Sequence, residues 1–227
     1  MNTTFTFLGH GTHLIETQGF KILVDPYLDD NPAAPIKAAE VEADYIFVSH
    51  GHGDHIADAV PVAKRLGIKI ITNADLCRWL GKQDVETHAQ HVGGGYHHPF
   101  GYLKMTNALH GSGLPDGSYG GNPAGMLLTT KDNKNLYLAC DTGLFSDMQL
   151  IGEVGLDLAV LPIGDNYTMG PEDALQAVKY LKPKHVIPCH YNTWPVIAQD
   201  AEAWAARVKA ESSSQVHILQ PGESFTV

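Results

Sequence analysis

A chain of 227 residues, 44% hydrophobic and 18% charged, is long enough to bury a large core and too apolar to remain disordered. Its formal net charge of -10, from 15 basic and 25 acidic residues, disfavours a polyanion such as nucleic acid without excluding it. The chain has no apolar run of membrane-spanning length, no basic leader before Phe5, and only three cysteines, none in a C-x-x-C pair. One domain over residues 1–227 in a reducing, cytoplasmic compartment is therefore expected.

Phe5 and Phe7 alternate like a half-buried strand up to a break at Gly9-His10-Gly11. The strand pattern resumes at His13-Leu14-Ile15-Glu16-Thr17, turns at Gln18-Gly19, and continues through Lys21-Ile22-Leu23-Val24. After Asp25-Pro26 and a Pro/Ala-rich loop (Asn31 to Pro35), a compact strand, Tyr45-Ile46-Phe47-Val48, runs into His50. Ile56, Val60, Ala63 and Leu66 recur at helical spacing, Gly67 ends that helix, and Lys69-Ile70-Ile71-Thr72 is the next strand, which makes a β-α-β unit.

Tyr102 to Leu109 reads as a strand ending at His110, Leu136 to Ala139 as one ending at Asp141, and His185 to Pro188 as one ending just before His190. Leu158 to Leu161 is a buried strand. Pro171 with Glu172 and Asp173 opens a helix, and Ala198 to Val208 predicts another. Two packed sheets with helices outside are the economical α/β architecture for this order.

The chemistry concentrates at His50-Gly51-His52-Gly53-Asp54-His55, where four of six residues are good metal ligands and the glycines let the backbone bend. On an extended segment His50 and His52 point the same way, while Asp54 and His55, beyond Gly53, can address a second ion. His110, Asp141 and His190 arrive at later strand ends to complete the set. The assignment is His50, His52 and His110 on one ion, Asp54, His55 and His190 on the other, and Asp141 bridging.

In order and spacing the chain resembles the metallo-β-lactamase superfamily, whose H-x-H-x-D-H signature stands at 50–55, followed by a histidine, an aspartate and a histidine. A closer likeness is to a bacterial and archaeal family of metal-dependent hydrolases near the ascorbate-phosphate lactonase-like branch. It is carried by Leu8-Gly9-His10, Val24-Asp25-Pro26, Cys140-Asp141-Thr142-Gly143-Leu144-Phe145, the stretch Pro162 to Gly170 and His190-Tyr191-Asn192-Thr193-Trp194-Pro195. The resemblance implies a four-layer αβ/βα sandwich of two mixed β-sheets flanked by helices, and a dinuclear site. Two positions depart from it: His13, where a small or aromatic apolar residue is expected, and Cys189, where methionine is common.

The expected activity is hydrolysis of a small ester, lactone or phosphorylated metabolite by a hydroxide held between two divalent ions, with Asp54 both ligand and orienting catalytic group. Zinc or manganese suits the nitrogen and oxygen donors, and iron or nickel is compatible with them. The alternatives are a phosphodiesterase or ribonuclease on the same geometry, and a metal or metabolite sensor; a di-iron redox centre would call for an electron donor such as flavin. A small molecule is the expected partner, no membrane is involved, and a homo-oligomer is open.

Around the ligands, His10 and Asp25 end strands and are expected near the site, since carboxylates commonly orient metal-bound imidazoles. Asp165 is either a pocket residue or a turn acid. The glycine-rich stretch 111–121 after His110 is expected either to cover the metals as a mobile loop or to be an ordinary connection. Strand alternation turns Cys140 and Cys189 toward the core. His88, His91, His97, His98, His185 and His217 have no partners at ligand spacing.

Overall fold

The computed structural model describes residues 2–227. Strands β1 (Thr4–Phe7), β2 (His13–Thr17), β3 (Phe20–Val24), β4 (Tyr45–Phe47), β5 (Lys69–Thr72) and β6 (Thr87–Ala89) form the first sheet. The second holds β7 (Gly95–His98), β8 (Gly101–Asn107), β9 (Ala124–Thr130), β10 (Asn135–Leu138), β11 (Leu158–Pro162), β12 (His185–Cys189) and β13 (Gln215–Val216). The closing strand β14 (Ser224–Thr226) returns to the first sheet beside β1, so the orders are β14-β1-β2-β3-β4-β5-β6 and β13-β12-β11-β10-β9-β8-β7.

This pairing fixes strand direction. In the first sheet β1 and β3 both run antiparallel to β2, and β3, β4 and β5 are mutually parallel. In the second, β8 and β10 both run antiparallel to β9, and β10, β11 and β12 are parallel. Strands β1, β3 and β4 therefore end together at one edge of their sheet, as β8, β10 and β12 do in theirs.

Alternation explains the layers. Phe5, Ile15, Ile22, Val24 and Phe47 from one sheet meet Leu103, Met105, Met126, Leu128, Leu136 and Val160 from the other in the central core. Outside the first sheet, Leu23, Ile46 and Ile70 are covered by α2 (Ala59–Leu66) and α3 (Ala74–Gly81), which follow the single turn α1 (Gly53–Ile56). Outside the second sheet, Tyr137, Ala159, Leu161 and Val186 lie under α4 (Met148–Gly152), α5 (Pro171–Leu181) and α6 (Ala201–Glu211). The result is the four-layer αβ/βα sandwich.

Three boundaries differ from the sequence reading. The helix expected over 56–66 breaks between α1 and α2, because Asp58 turns its carboxylate to the Leu28 and Asp29 amides. The last helix starts at Ala201, where Asp200 caps the Ala203 amide, after a 3-10 turn at Pro195–Ile197. Strand β8 stops at Asn107, freeing the next residues to swing His110 inward. Gly67 ends α2 in the left-handed region, φ 66, as its position suggested. Among the described residues no helix is long and apolar enough to cross a membrane.

Candidate metal centre

Both sheets deliver side chains to the edge where their strand ends coincide. From the first come His10 after β1, Asp25 after β3, and residues 50–55 after β4; from the second come His110 after β8, Asp141 after β10 and His190 after β12. His52 caps α1 with extended backbone (φ -66, ψ 147), so Asp54 and His55 lie on the helical turn that follows it. Gly51 and Gly53 do not take up left-handed backbone, contrary to the expected bending role. That conformation falls instead on His10 (φ 57), Asp25 (φ 45), Cys140 (φ 53) and His190 (φ 53), and strained residues of this kind cluster at functional sites.

Two groups of donors flank Asp141, and the candidate ligand atoms of a third set, Asp25, His50 and His55, also lie within 4.8 Å of one another. In one, His50 Nε2 lies 3.0 Å and His110 Nε2 3.2 Å from His52 Nδ1. In the other, the candidate ligand atoms of His10, Asp54, His55 and His190 lie within 4.8 Å of one another. Asp141 Oδ2 sits between the groups, 3.9 Å from His50 Nε2, 3.4 Å from His110 Nε2, 3.3 Å from His55 Nε2 and 3.2 Å from His190 Nε2.

Hydrogen bonding fixes the tautomers. Buried Asp25 can only accept, and it takes the Ser49 amide at 2.7 Å, the Ser49 hydroxyl at 2.6 Å and His55 Nδ1 at 2.9 Å. The Ser49 hydroxyl, its proton committed to Asp25, accepts from His50 Nδ1 at 2.9 Å. The Nε2 atoms of both His50 and His55 therefore point toward Asp141. His10 donates from Nε2 to Asp54 Oδ2 at 3.0 Å, and its Nδ1 lies 2.8 Å from the Thr193 hydroxyl. These are the outer partners that orient metal-bound imidazoles and carboxylates.

The electrostatics show what the site lacks. Burial pushes His50 and His110 down, and His10 to about 4, so these rings are neutral. Burial works against charge on His55 and His190 too, but Asp141 outweighs it, raising His55 well above its ordinary value and His190 to about 9. Burial would raise Asp54 and Asp141; His10 and His190 hold Asp54, and His190 and His55 hold Asp141, below the usual carboxylate range. Two imidazoles, His55 and His190, thus favour their protonated forms beside the buried Asp141 and the half-buried Asp54. The chain recruits positive charge to a point where three further nitrogens already converge.

A family profile described as a beta-lactamase superfamily domain matches residues 21–191. The chain belongs to this superfamily. Metal-dependent hydrolases designated UPF0173 from Desulforamulus reducens and Pelotomaculum thermopropionicum are 49% and 50% identical to it, over 98% and 97% of this chain and 99% and 98% of their own. Igni18, a metallo hydrolase from Ignicoccus hospitalis, matches with a TM-score of 0.90 at 32% identity, covering 100% of this chain and 99% of its own. The chain's activity is that of a metal-dependent hydrolase.

The donor set fits the metal that this superfamily member requires. His55 Nε2 and both ring nitrogens of His190 are buried without a hydrogen-bond partner. His55 and His190 approach Asp141 Oδ2 without hydrogen-bond geometry. In the other group, one proton on His52 Nδ1 can satisfy only one of the two Nε2 atoms facing it. A divalent cation in each group would take up His55 Nε2 and His190 Nε2 in one and the facing nitrogens in the other, leaving only His190 Nδ1 without a partner.

A cavity of about 480 Å³ is lined by the donors His52, Asp54, His110, Asp141 and His190 with Gly53, and by Tyr167, Trp194 and Val196. Asp165 is not among the lining residues. It is an exposed turn acid (φ 61) whose carboxylate accepts the Asn166 amide, and Tyr167 reaches the cavity in its place. The stretch 111–121 does not cover the site. Asn73 holds the Gly120 carbonyl at 2.8 Å, Trp79 holds Asp116 at 2.8 Å, and the Ser112 hydroxyl lies 3.1 Å from the Gly51 amide, so the loop braces the 50–55 segment from behind.

Cys189 belongs to the central core and Cys140 packs against it. His13, with its ring centroid 5.0 Å from Phe5 and 5.8 Å from Phe7, is pushed by burial to about 3 and behaves as an apolar ring. Of the histidines without ligand spacing, His185 pairs with His217 and His98 with Gln90. Sequence reasoning did not single out Ser49, Tyr167 or Val196. Ser49 adjoins His50, which is a signal for its role; Tyr167 falls in the Pro162 to Gly170 stretch that carries the family resemblance, and Val196 carries no signal.

Proposed function

We propose that this protein hydrolyses a small ester, lactone or phosphorylated metabolite using two divalent ions. One would be held by His50, His52 and His110, the other by Asp54, His55 and His190, with Asp141 shared between them. The observation that carries this reading is the position of Asp141 Oδ2, within 3.2 to 3.9 Å of one Nε2 from each of four histidines, two in each group. A pair of divalent ions supplies Lewis acidity and lowers the pKa of bound water from about 15.7 toward about 7.

The chain's own residues do the rest. Asp54 is the more open of the two central acids, its side chain 27% exposed against 4% for Asp141, so it can address both a ligand site and water in the cavity. His10 fixes that carboxylate from behind, and Thr193 fixes His10. Asp25 and Ser49 turn the Nε2 atoms of His55 and His50 toward Asp141. Zinc or manganese suits this set of imidazoles and carboxylates.

Elemental analysis of the purified protein, followed by an ester, lactone and phosphodiester panel with that metal restored, tests the reading. Asp54→Ala is expected to retain the fold by circular dichroism and to lose roughly 10²- to 10⁴-fold in rate. Full activity in that variant would sink the assigned role. Turnover of bis-p-nitrophenyl phosphate but of no lactone would move the protein to the phosphodiesterases. Inertness of metal-loaded protein across the panel would point to a sensor.

A further inference from the structure

We infer that the part of the substrate away from the reacting bond is uncharged and is an apolar alkyl or aryl group that lies against Tyr167, Trp194 and Val196. This rests on the hydrolase reading and narrows it, removing metabolites that carry a phosphate away from the reacting bond.

The cavity has two chemically distinct faces. Its base is imidazole and carboxylate, and its wall is two aromatic rings and a branched aliphatic side chain. Tyr167 is 54% and Val196 53% exposed, although Ile163, Met169 and Ile197 in the same two segments are fully buried. The chain therefore packs the apolar residues that stabilise these segments and leaves two large ones in water at the cavity mouth. Such exposed apolar surface beside convergent polar groups is the pattern of a ligand site. Trp194 is held in place: its ring lies edge-on to His10 at 4.7 Å, directly after the Thr193 that positions His10.

No ammonium or guanidinium lines this cavity. The sequence contains no Lys or Arg between Lys134 and Lys179, or between Lys184 and Arg207, the two stretches that build the wall. Of the residues bounding them, Lys179, Lys184 and Arg207 are paired with Glu211, Asp157 and Glu172. The one formal charge in the Tyr167 turn, residues 163–170, is Asp165, an acid. A phosphate carried as a recognition handle, away from the reacting bond, needs a charged donor. On this wall it would meet apolar side chains and no charged donor to replace the water it gives up. An alkyl or aryl group gains there by leaving water.

The test uses protein of verified metal content and a matched pair: an alkyl-substituted δ-lactone and phosphogluconolactone. Binding of the corresponding alkyl lactam, which resists hydrolysis, is measured by calorimetry alongside. The alkyl lactone is expected to be preferred by about tenfold or more in kcat/KM. Trp194→Ala and Tyr167→Ala are expected to raise its KM roughly tenfold, a larger loss than in kcat, and to weaken lactam binding in step. Val196→Arg is expected to shift preference toward the phosphorylated lactone.

Preference of the wild-type protein for phosphogluconolactone, or wild-type KM values in both aromatic variants, would overturn the inference while leaving the hydrolase reading standing. Tight lactam binding with no lactone hydrolysed would uphold apolar recognition and overturn lactone hydrolysis as the reaction.

Discussion

Asp25→Asn isolates the contribution of a group that is not assigned as a ligand. The carboxylate accepts three hydrogen bonds, from the Ser49 amide, the Ser49 hydroxyl and His55 Nδ1. An asparagine of the same shape must turn its NH₂ toward one side. Facing the Ser49 amide at 2.7 Å it would meet a backbone donor that cannot adapt. It therefore turns toward His55, where the imidazole can respond by moving its proton to Nε2. That proton would then occupy the lone pair aimed toward Asp141. Loss of the outer partner of a metal-bound histidine typically costs 10- to 100-fold in metal affinity, which is about 1.4 to 2.7 kcal/mol at roughly 1.36 kcal/mol per decade. Competition against a chromogenic chelator measures the loss, and a circular dichroism melt establishes that the variant is folded. Affinity within about twofold of wild type would refute the tautomer argument, since no other neighbour fixes His55 Nδ1.

Gly11→Ala should act on the same ring by contact alone. A Cβ there would lie 2.7 Å from His55 Cε1, so metal content should fall in elemental analysis of a protein that still folds. In metal-free protein, His190 with its pKa raised to about 9 contributes stability that is full below about 6.5, the value of an unperturbed histidine, and is lost as pH rises through 9. The melting temperature should accordingly fall across that window. Metal uptake near pH 7.5 should release protons, detected by calorimetry in buffers of different ionisation enthalpy, and the loaded protein should lack the alkaline fall. Phe47→Ala, in the fully buried central core, should cost about 3 to 5 kcal/mol in chemical denaturation.

The candidate ligands were legible because each stands at or just beyond the end of an apolar strand pattern, and because four of them share one short segment. The layers were legible from alternation and helical spacing. What escaped depended on distance across the fold. Tyr167 and Val196 lie in loops with no periodicity, and they become a wall only because β11 and β12 are adjacent and parallel. The stretch 111–121 read as a lid because it is glycine-rich and follows His110. Asn73 and Trp79, far away in sequence, tie it to the α3 side instead. The 56–66 helix read as continuous because its apolar spacing survives the break, whereas the cause lies in the side chain of Asp58 and the Leu28 and Asp29 amides it serves.

Each donor group draws on both sheets: His50 and His52 from the first face His110 from the second, and Asp54 and His55 face His190 in the same way. An ion seated in either group is thus a rivet through the seam between the two halves of the molecule. The halves otherwise meet through non-directional apolar contact, and through a few bonds such as the His190 amide to the His10 carbonyl at 3.0 Å. Ligation of this kind is worth about 2.7 kcal/mol when free metal is 100 times its dissociation constant, and all of it acts against the two sheets parting. Depletion of metal would therefore loosen the sandwich along one plane, at the edge where the strands end, while each sheet and its covering helices stay intact.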